Sequence, residues 1–281
     1  MEYSADSLKI SYINIRGQTG FNIEKQYQVE EFLRVSNSDI LHLQEVNIDD
    51  NTFKECNYIE SHFTVISNNA ENKYGTASII RNSLSIENVM CDTAGRILVF
   101  EISGITFGNF YLPSGTDAAS RNLRENYFSE IIPTMLVNRR VTGCFGGDFN
   151  SITDKNDATN HQESKLSPCL SRLIRLFDLK DSFRTLHPRL SIYSRYYQIR
   201  GVPGATRIDR QYHWGNIVPL SADYVPIAFS DHQAHSVKIL LPEVMSKLYS
   251  PKSRPLFKIR EEVIKDQVFQ DSTTVIRSNT N

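Results

Sequence analysis

The amino-acid sequence predicts an α/β sandwich, on three observations. Short apolar stretches of strand length recur from about residue 8 to residue 241. Only a few amphipathic stretches of helical period lie among them. The two kinds do not alternate strictly, as a doubly wound sheet or a barrel requires. The chain has 281 residues, 40% of them hydrophobic and 22% charged, enough to build a core without disulfide staples.

Taken in order, Leu8–Asn14 alternates and reads as a strand ending at Asn14. Residues 25–35 place Tyr27, Val29, Phe32 and Leu33 at helical intervals among acids, which predicts a surface helix. Asp39–Glu45 is a short apolar strand ending in a carboxylate. Further strands are expected at 63–67, 77–81, 96–102 and 105–112. An amphipathic helix is expected over 119–132, with Pro133 ending or kinking it. Val141–Asp148 is another strand that ends in an acid, and a helix at 167–177 opens with Ser167 as N-cap and Pro168 in first position. Two strands flank the turn-rich Gly201-Val202-Pro203-Gly204, and the last strand is His235–Leu241. No internal repeat is visible. From Pro242 the character changes: three prolines, few large apolar residues and mixed charge predict a linker with one short helix near 260–270. The expected division is therefore a folded domain at 1–241 and a linker at 242–281.

Composition excludes several classes. The longest apolar run, residues 131–137, falls far short of the ~20 residues that cross a bilayer, and the first residues carry neither a basic nor an apolar leader region. Four cysteines without a CxxC pair argue against a zinc ribbon or a disulfide framework. Formal net charge is −1, but its distribution is uneven. Residues 184–213 hold six arginines against the single acid Asp209, and local fields rather than net charge decide whether a polyanion docks. No GxSxG, P-loop, GxGxxG or HExxH occurs, which removes serine hydrolases, P-loop nucleotide hydrolases, dinucleotide binding and zinc proteases as first choices.

The informative pattern is that metal-competent or proton-transferring residues stand at the ends of apolar strands, where side chains project into a shared cleft while the sheet fixes them. Asn14 ends the first strand. Gln44-Glu45 follows Ile-Leu-His-Leu, and a carboxylate leaving a buried strand suits a hard cation. Gly146-Gly147-Asp148-Phe149-Asn150 sets Asp and Asn two apart, on one face. Asp209 lies among arginines in Arg207-Ile208-Asp209-Arg210, and Ser230-Asp231-His232 places an imidazole in a polar bend. Taken singly, each is also an ordinary turn, strand end or balanced charge.

Together, Asn14, Gln44-Glu45, Tyr111 within Gly108–Pro113, Gly147–Asn150, Arg207–Arg210 and Ser230–His232 resemble, in order, the motif series of the endonuclease/exonuclease/phosphatase superfamily, over about residues 8–241. Within it the chain looks most like the apurinic-endonuclease-like endonuclease domain of a non-LTR (LINE-type) retrotransposon polyprotein. Arg-Ile-Asp-Arg after the basic, aromatic stretch Tyr193, Arg195, Tyr196, Tyr197, Arg200 resembles the segment such enzymes lay against target DNA. Residues 254–269 resemble a linker toward a reverse transcriptase. The resemblance implies a four-layered, DNase I-like sandwich and a DNA endonuclease that needs Mg²⁺, with Mn²⁺ as a substitute. It assigns Glu45 and Asn14 to the metal, Asp148 with Asn150 to the attacking water, and His232 aligned by Asp209 to the scissile phosphate. Tyr111 would touch the same phosphate, and Asp231 would assist the metal or the histidine. Arg16, Arg195, Tyr197, Arg200 and Arg207 would contact double-stranded DNA. The implied partners are duplex DNA and a fused reverse transcriptase, in the nucleus, with no membrane. The competing readings are an apurinic repair endonuclease or exonuclease and an inactive docking module. Two departures weaken the repair reading: Thr206 stands where an abasic-site enzyme carries tryptophan, and Arg16 replaces an acid after the first asparagine.

Overall fold

The computed structural model describes residues 7–17, 20–49, 51–69, 75–136, 141–159, 166–199 and 201–240. Its first elements are β1 (Ser7–Asn14), α1 (Ile23–Ser36), β2 (Ile40–Val46), α2 (Asn57–His62), β3 (Phe63–Asn68) and β4 (Gly75–Arg81). There follow β5 (Ile86–Cys91), β6 (Ile97–Ile102), β7 (Ile105–Tyr111), α3 (Ala118–Asn126), α4 (Ile132–Leu136) and β8 (Gly143–Asp148). The last are α5 (Pro168–Leu176), β9 (Lys180–Asp181), α6 (Ser182–Leu186), β10 (Arg195–Ile199), β11 (Val202–Thr206), β12 (Asp209–Trp214), β13 (Val218–Val225) and β14 (Ala234–Leu240). The expected linker at 242–281 lies outside the described residues.

Two six-stranded sheets pack face to face, one ordered β13-β14-β1-β2-β4-β3 and the other β5-β6-β7-β8-β12-β9, while β10 and β11 form a separate hairpin. Both sheets are mixed, with β1 parallel to β2 and β7 parallel to β8. The central strands β2, β7, β8 and β12 bury both faces. On β1, Ile10 and Tyr12 face the second sheet and meet Phe107 and Cys144, whereas Ile13 turns to the other side and packs with Val29 and Leu33 of α1. The outer face of the second sheet packs Phe110, Phe145 and Trp214 against Phe128, Leu170 and Leu173 of the helical layer. The result is the expected sandwich of two β-sheets flanked by helices.

Local signals explain the helix ends. Asn22 caps α1 by accepting from the Lys25 N–H, and Asn37 closes it in the left-handed conformation. Ser167 caps α5 by accepting from the Leu170 N–H at 2.9 Å, with Pro168 in first position as expected. Of the two outcomes expected at Pro133, termination is the one the structure overturns. The proline does not end the helix: α3 runs into a π-helical turn at Tyr127–Ile131, and α4 carries Pro133 inside it to Leu136. The ladder has already shifted to i→i−5 when the proline arrives, with the Ile132 N–H donating to the Tyr127 carbonyl. A local change of register thus absorbs the residue that a regular α-helix would not.

Register stacks the space between the sheets in layers. Ile10 and Ile40 are paired in one layer, opposite Phe107 and Cys144. Two residues along each strand, Tyr12 stands beside His42 and His235, opposite the row Asn109, Gly146, Gln211. Two further on, Asn14 beside Gln44 faces the row Tyr111, Asp148, Asp209. A period of two therefore delivers Asn14, Tyr111, Asp148 and Asp209 to one end of the sandwich.

Gly146 keeps the sheets this close, because a Cβ there would lie 2.6 Å from Tyr12 Cζ and 2.5 Å from the Arg210 carbonyl oxygen. Gly146→Ala is expected to lower folding stability by about 1–3 kcal/mol, read by urea denaturation, since tightly packed interiors do not absorb an added carbon freely.

Candidate active site

The acidic ends of two neighbouring strands meet here. Asp148 ends β8 and Asp209 begins β12, directly opposite it in antiparallel register. His232 completes the cluster: among the described residues, a ligand atom from each of Asp148, Asp209 and His232 lies within 4.8 Å of the other two. All three are buried.

Asp148 is held by donors. Its Oδ1 accepts from the Asn150 backbone N–H at 2.8 Å, and its Oδ2 accepts from Asn150 Nδ2 and Asn14 Nδ2, each at 3.0 Å. Asn150 reaches back because it adopts φ 47°, which aims its backbone N–H and its side chain at the same carboxylate. Burial, and then the neighbouring Asp209 charge, push the Asp148 carboxyl up to about 6, against the lowering effect of His232 and these donors. Asp209 Oδ2 binds His232 Nδ1 at 2.8 Å. Burial would lower the His232 imidazole, but Asp209 and Asp148 outweigh it and raise it above its ordinary value. Ser230 supports the histidine from its own loop: its Oγ accepts the His232 N–H at 3.1 Å and donates to the Asn14 carbonyl at 2.6 Å.

Glu45 reaches the cleft through a backbone irregularity. Strand alternation would turn it away from Gln44, but the pairing of β2 with β4 shifts register between Gln44 and Val46, and Glu45 adopts φ 56°. Such a bulge re-aims a side chain, and Tyr111 of the opposite sheet donates its hydroxyl to Glu45 Oε1 at 2.9 Å. Gly17 makes room, since a Cβ there would overlap the Glu45 carbonyl oxygen. Burial and then the Glu45 and Asp148 charges push the Tyr111 hydroxyl far up, so it stays protonated.

The structure thus brings together Asn14, Glu45, Tyr111, Asp148, Asn150, Asp209 and His232. Asn14 sits in the cluster as a partner of Asp148, and its Oδ1 accepts the Arg16 N–H at 2.9 Å. Asp231 turns to the rim, where Arg195 Nε lies 3.1 Å from its Oδ2 and Arg16 Nε lies 4.0 Å from Oδ1. Burial would raise the Asp231 carboxyl, but His232, Arg195 and Arg16 hold it below the usual range. Tyr197 is half-buried, with its ring over Gly204 on the facing hairpin strand. Arg200 lies outside the described residues.

Arg207 departs from expectation. It was expected to contact DNA, but it is 1% exposed and sits in an ion network with Asp157 and Asp181. Its Nε and Nη2 donate to Asp157 at 2.9 and 3.1 Å, and its Nη1 is 2.8 Å from Asp181. Arg210 and Arg184 join through Asp157. A cavity of about 580 Å³ opens beside this network, lined in part by Asp157, Asp181, Arg184 and Arg207, and not by the Asp148 cluster. Asp157 lies fifty residues before Arg207 in an unremarkable polar stretch, so no local signal marked the pair. Ser194 was also missed: its hydroxyl accepts the Asp209 N–H, yet a lone serine carries no signature.

Burial would raise the Asp157 carboxyl, but Arg210, Arg207 and Arg184 hold it well below the usual carboxylate range. Its contribution to stability is therefore full above the ordinary carboxylate value of about 4 and is lost as pH falls toward its own depressed value. Asp157→Asn is expected to cost about 3–5 kcal/mol near pH 7, because it leaves buried arginine charge uncompensated. The gap between variant and wild type should narrow below about pH 4 in urea denaturation measured across pH.

No family model matches the chain, and no curated protein matches it. Solved structures do. A 3′ phosphatase, NExo, from Neisseria, bound to a product DNA hairpin, is 19% identical with a TM-score of 0.68, over 82% of this chain and 98% of that one. An AP endonuclease from Archaeoglobus fulgidus is 19% identical with a TM-score of 0.64, over 82% and 98%. TDP2 from Caenorhabditis elegans is 18% identical with a TM-score of 0.62, over 83% and 75%. The likeness establishes the fold as the DNase I-like sandwich these proteins share.

Proposed function

We propose that this chain is a metal-dependent DNA endonuclease that nicks one strand of a duplex to leave a 3′-hydroxyl and a 5′-phosphate. The reading extends to the non-LTR retrotransposon type, in which the 3′-hydroxyl primes reverse transcription by a fused polymerase domain at a nuclear target site. One observation carries the enzymatic part: Asp148, Asp209 and His232 converge within 4.8 Å, buried, opposite Asn14 and the Glu45–Tyr111 pair.

Phosphodiester hydrolysis requires an oriented water, donors to the phosphate oxygens and help for the leaving oxygen. Asp148 is fixed by three N–H donors and is more basic than an ordinary carboxylate, which suits it to orient water and take its proton. His232 has its Nδ1 occupied by Asp209, so Nε2 is the nitrogen that can donate to the phosphate, and its raised pKa favours the donor form. Tyr111 donates a hydrogen bond from its hydroxyl to Glu45 and so holds that carboxylate in place.

The residues fit a hard divalent cation. Glu45 ends in the cleft, bonded through one oxygen to Tyr111, and Asp148 and Asp209 bring further carboxylate oxygens to it, the donor type that Mg²⁺ and Mn²⁺ prefer. When bound there, the metal supplies positive charge to the phosphate and to the departing 3′ oxygen.

An abasic-repair reading is disfavoured by Thr206, which is fully buried and puts no aromatic floor at the position expected to line the pocket. The similar fold of an AP endonuclease and of a DNA-bound 3′ phosphatase still makes it the comparison to run. The hairpin is the candidate target reader: it stands apart from both sheets, and Tyr196 and Val202 are more than half exposed on it.

Incubation with supercoiled plasmid should yield nicked circles with Mg²⁺ and none with EDTA, with ends that a polymerase extends without treatment. Asp148→Ala and His232→Ala should each lower nicking by at least about 10²–10³ while the protein stays folded. Wild-type rates in either variant would overturn the reading, and faster cleavage of abasic than of intact duplex would transfer it to repair. Replacing residues 196–204 with a short Gly-Ser turn should alter the map of nick sites more than the rate; an unchanged map would remove the hairpin from target choice.

A further inference from the structure

Asp209 and His232 are 23 residues apart and belong to different elements, yet their pairing needs both backbones fixed to within a fraction of an ångström. Tyr224 supports only one of them, through the Asp209 carbonyl at 2.7 Å. Ser230 supports only the other, through the His232 N–H. Ser194 touches both segments. It is fully buried at the foot of β10, and its Oγ accepts two backbone N–H groups, those of Ile208 and Asp209, each at 3.0 Å. Its carbonyl accepts the N–H of Gln233, the residue after His232, at 2.6 Å, and its own N–H donates to Thr206 at 2.9 Å. The next residues continue the seam. Arg195 bridges His232 in antiparallel fashion, the Tyr196 N–H donates to the Asp231 carbonyl at 3.3 Å, and the Arg195 guanidinium pairs with the Asp231 carboxylate. The base of the hairpin is thus the strand against which the histidine segment is laid, and a single side-chain oxygen in that strand also holds the aspartate.

We infer that Ser194 is a positioning residue that sets the Asp209–His232 hydrogen bond from the foot of the hairpin. The inference rests on the nuclease reading and adds to it a residue whose hydroxyl bonds backbone groups. Removing the hydroxyl leaves two buried N–H groups without their acceptor, and one of them is that of Asp209. Because the same strand emerges as the hairpin, whatever the hairpin grips is mechanically continuous with the imidazole.

The test is a cycle of four proteins on supercoiled plasmid: wild type, Ser194→Ala, His232→Ala and the double variant. Loss of an outer positioning contact is expected to lower kcat about 10–100-fold, with KM for plasmid little changed. In the His232→Ala background, Ser194→Ala should cost nothing further, because its effect runs through the imidazole. Ser194→Cys, with a weaker acceptor in the same place, should fall between serine and alanine, and it supplies the same comparison where the alanine variant does not fold. A wild-type rate in folded Ser194→Ala overturns the inference, as does an equal fractional loss with and without His232. A wild-type protein that does not nick overturns the nuclease reading itself, which separates the two failures.

Discussion

Two carboxylates buried side by side are the constraint on which the rest of the structure depends. Asp148 and Asp209 face each other across β8 and β12 at a position where both are almost fully covered. Like charges at that spacing in a low-dielectric interior repel by several kcal/mol unless something answers them. Three N–H donors converge on one carboxylate and an imidazole on the other. The unusual backbone at Asn150 and the serine that pins Asp209 then read as parts of one solution.

The same constraint explains why the site sits where the sheets end. Between the strands' middles, Ile10, Ile40, Phe107 and Cys144 fill the space with apolar groups. Charge can be placed only at the last layer, where loops supply donors and solvent is near. Glu45 needs a register shift to arrive there at all, because its position in the pleat points it away. That conformation costs of order 1 kcal/mol for a residue other than glycine, and Gly17 is required beside it because no Cβ fits.

Much of this was legible in the sequence because both its signals are local. A period of two marks a strand, and a polar residue ending an apolar run marks a strand end, so Asn14, Glu45 and Asp148 stood out. Ser167-Pro168 announced a helix start for the same reason. What was not legible is non-local. Nothing near Arg207 points to Asp157, so a buried ion pair reads as a basic patch that awaits DNA. Pro133 reads as a terminator because the compensating π-turn lies upstream and depends on packing. β5, five of whose six residues are exposed, shows too little burial contrast to be marked, and in β13 a register shift between Pro219 and Ser221 breaks the alternation. Ser194 acts through its backbone and one oxygen, and sequence pattern does not see backbone geometry.

The layer directly beneath the carboxylates shows how the charge of the site is kept to its own residues. Tyr12 stacks on His42 with ring centroids 4.7 Å apart, and His235 stacks on Tyr224 at 4.4 Å. Burial lowers the His42 imidazole to about 3 and that of His235 to about 4, so at neutral pH neither carries charge. Opposite them Asn109 is neutral by nature, and it binds Gln44 at 2.7 Å while donating to two backbone carbonyls. A protonated histidine here would lie one layer below Asp148 and Asp209 and compete with His232 for their field. Keeping the layer polar but uncharged leaves the field of the two carboxylates to His232, whose imidazole Asp209 and Asp148 hold above its ordinary value against burial, and the loop that carries it is the part tied to the hairpin.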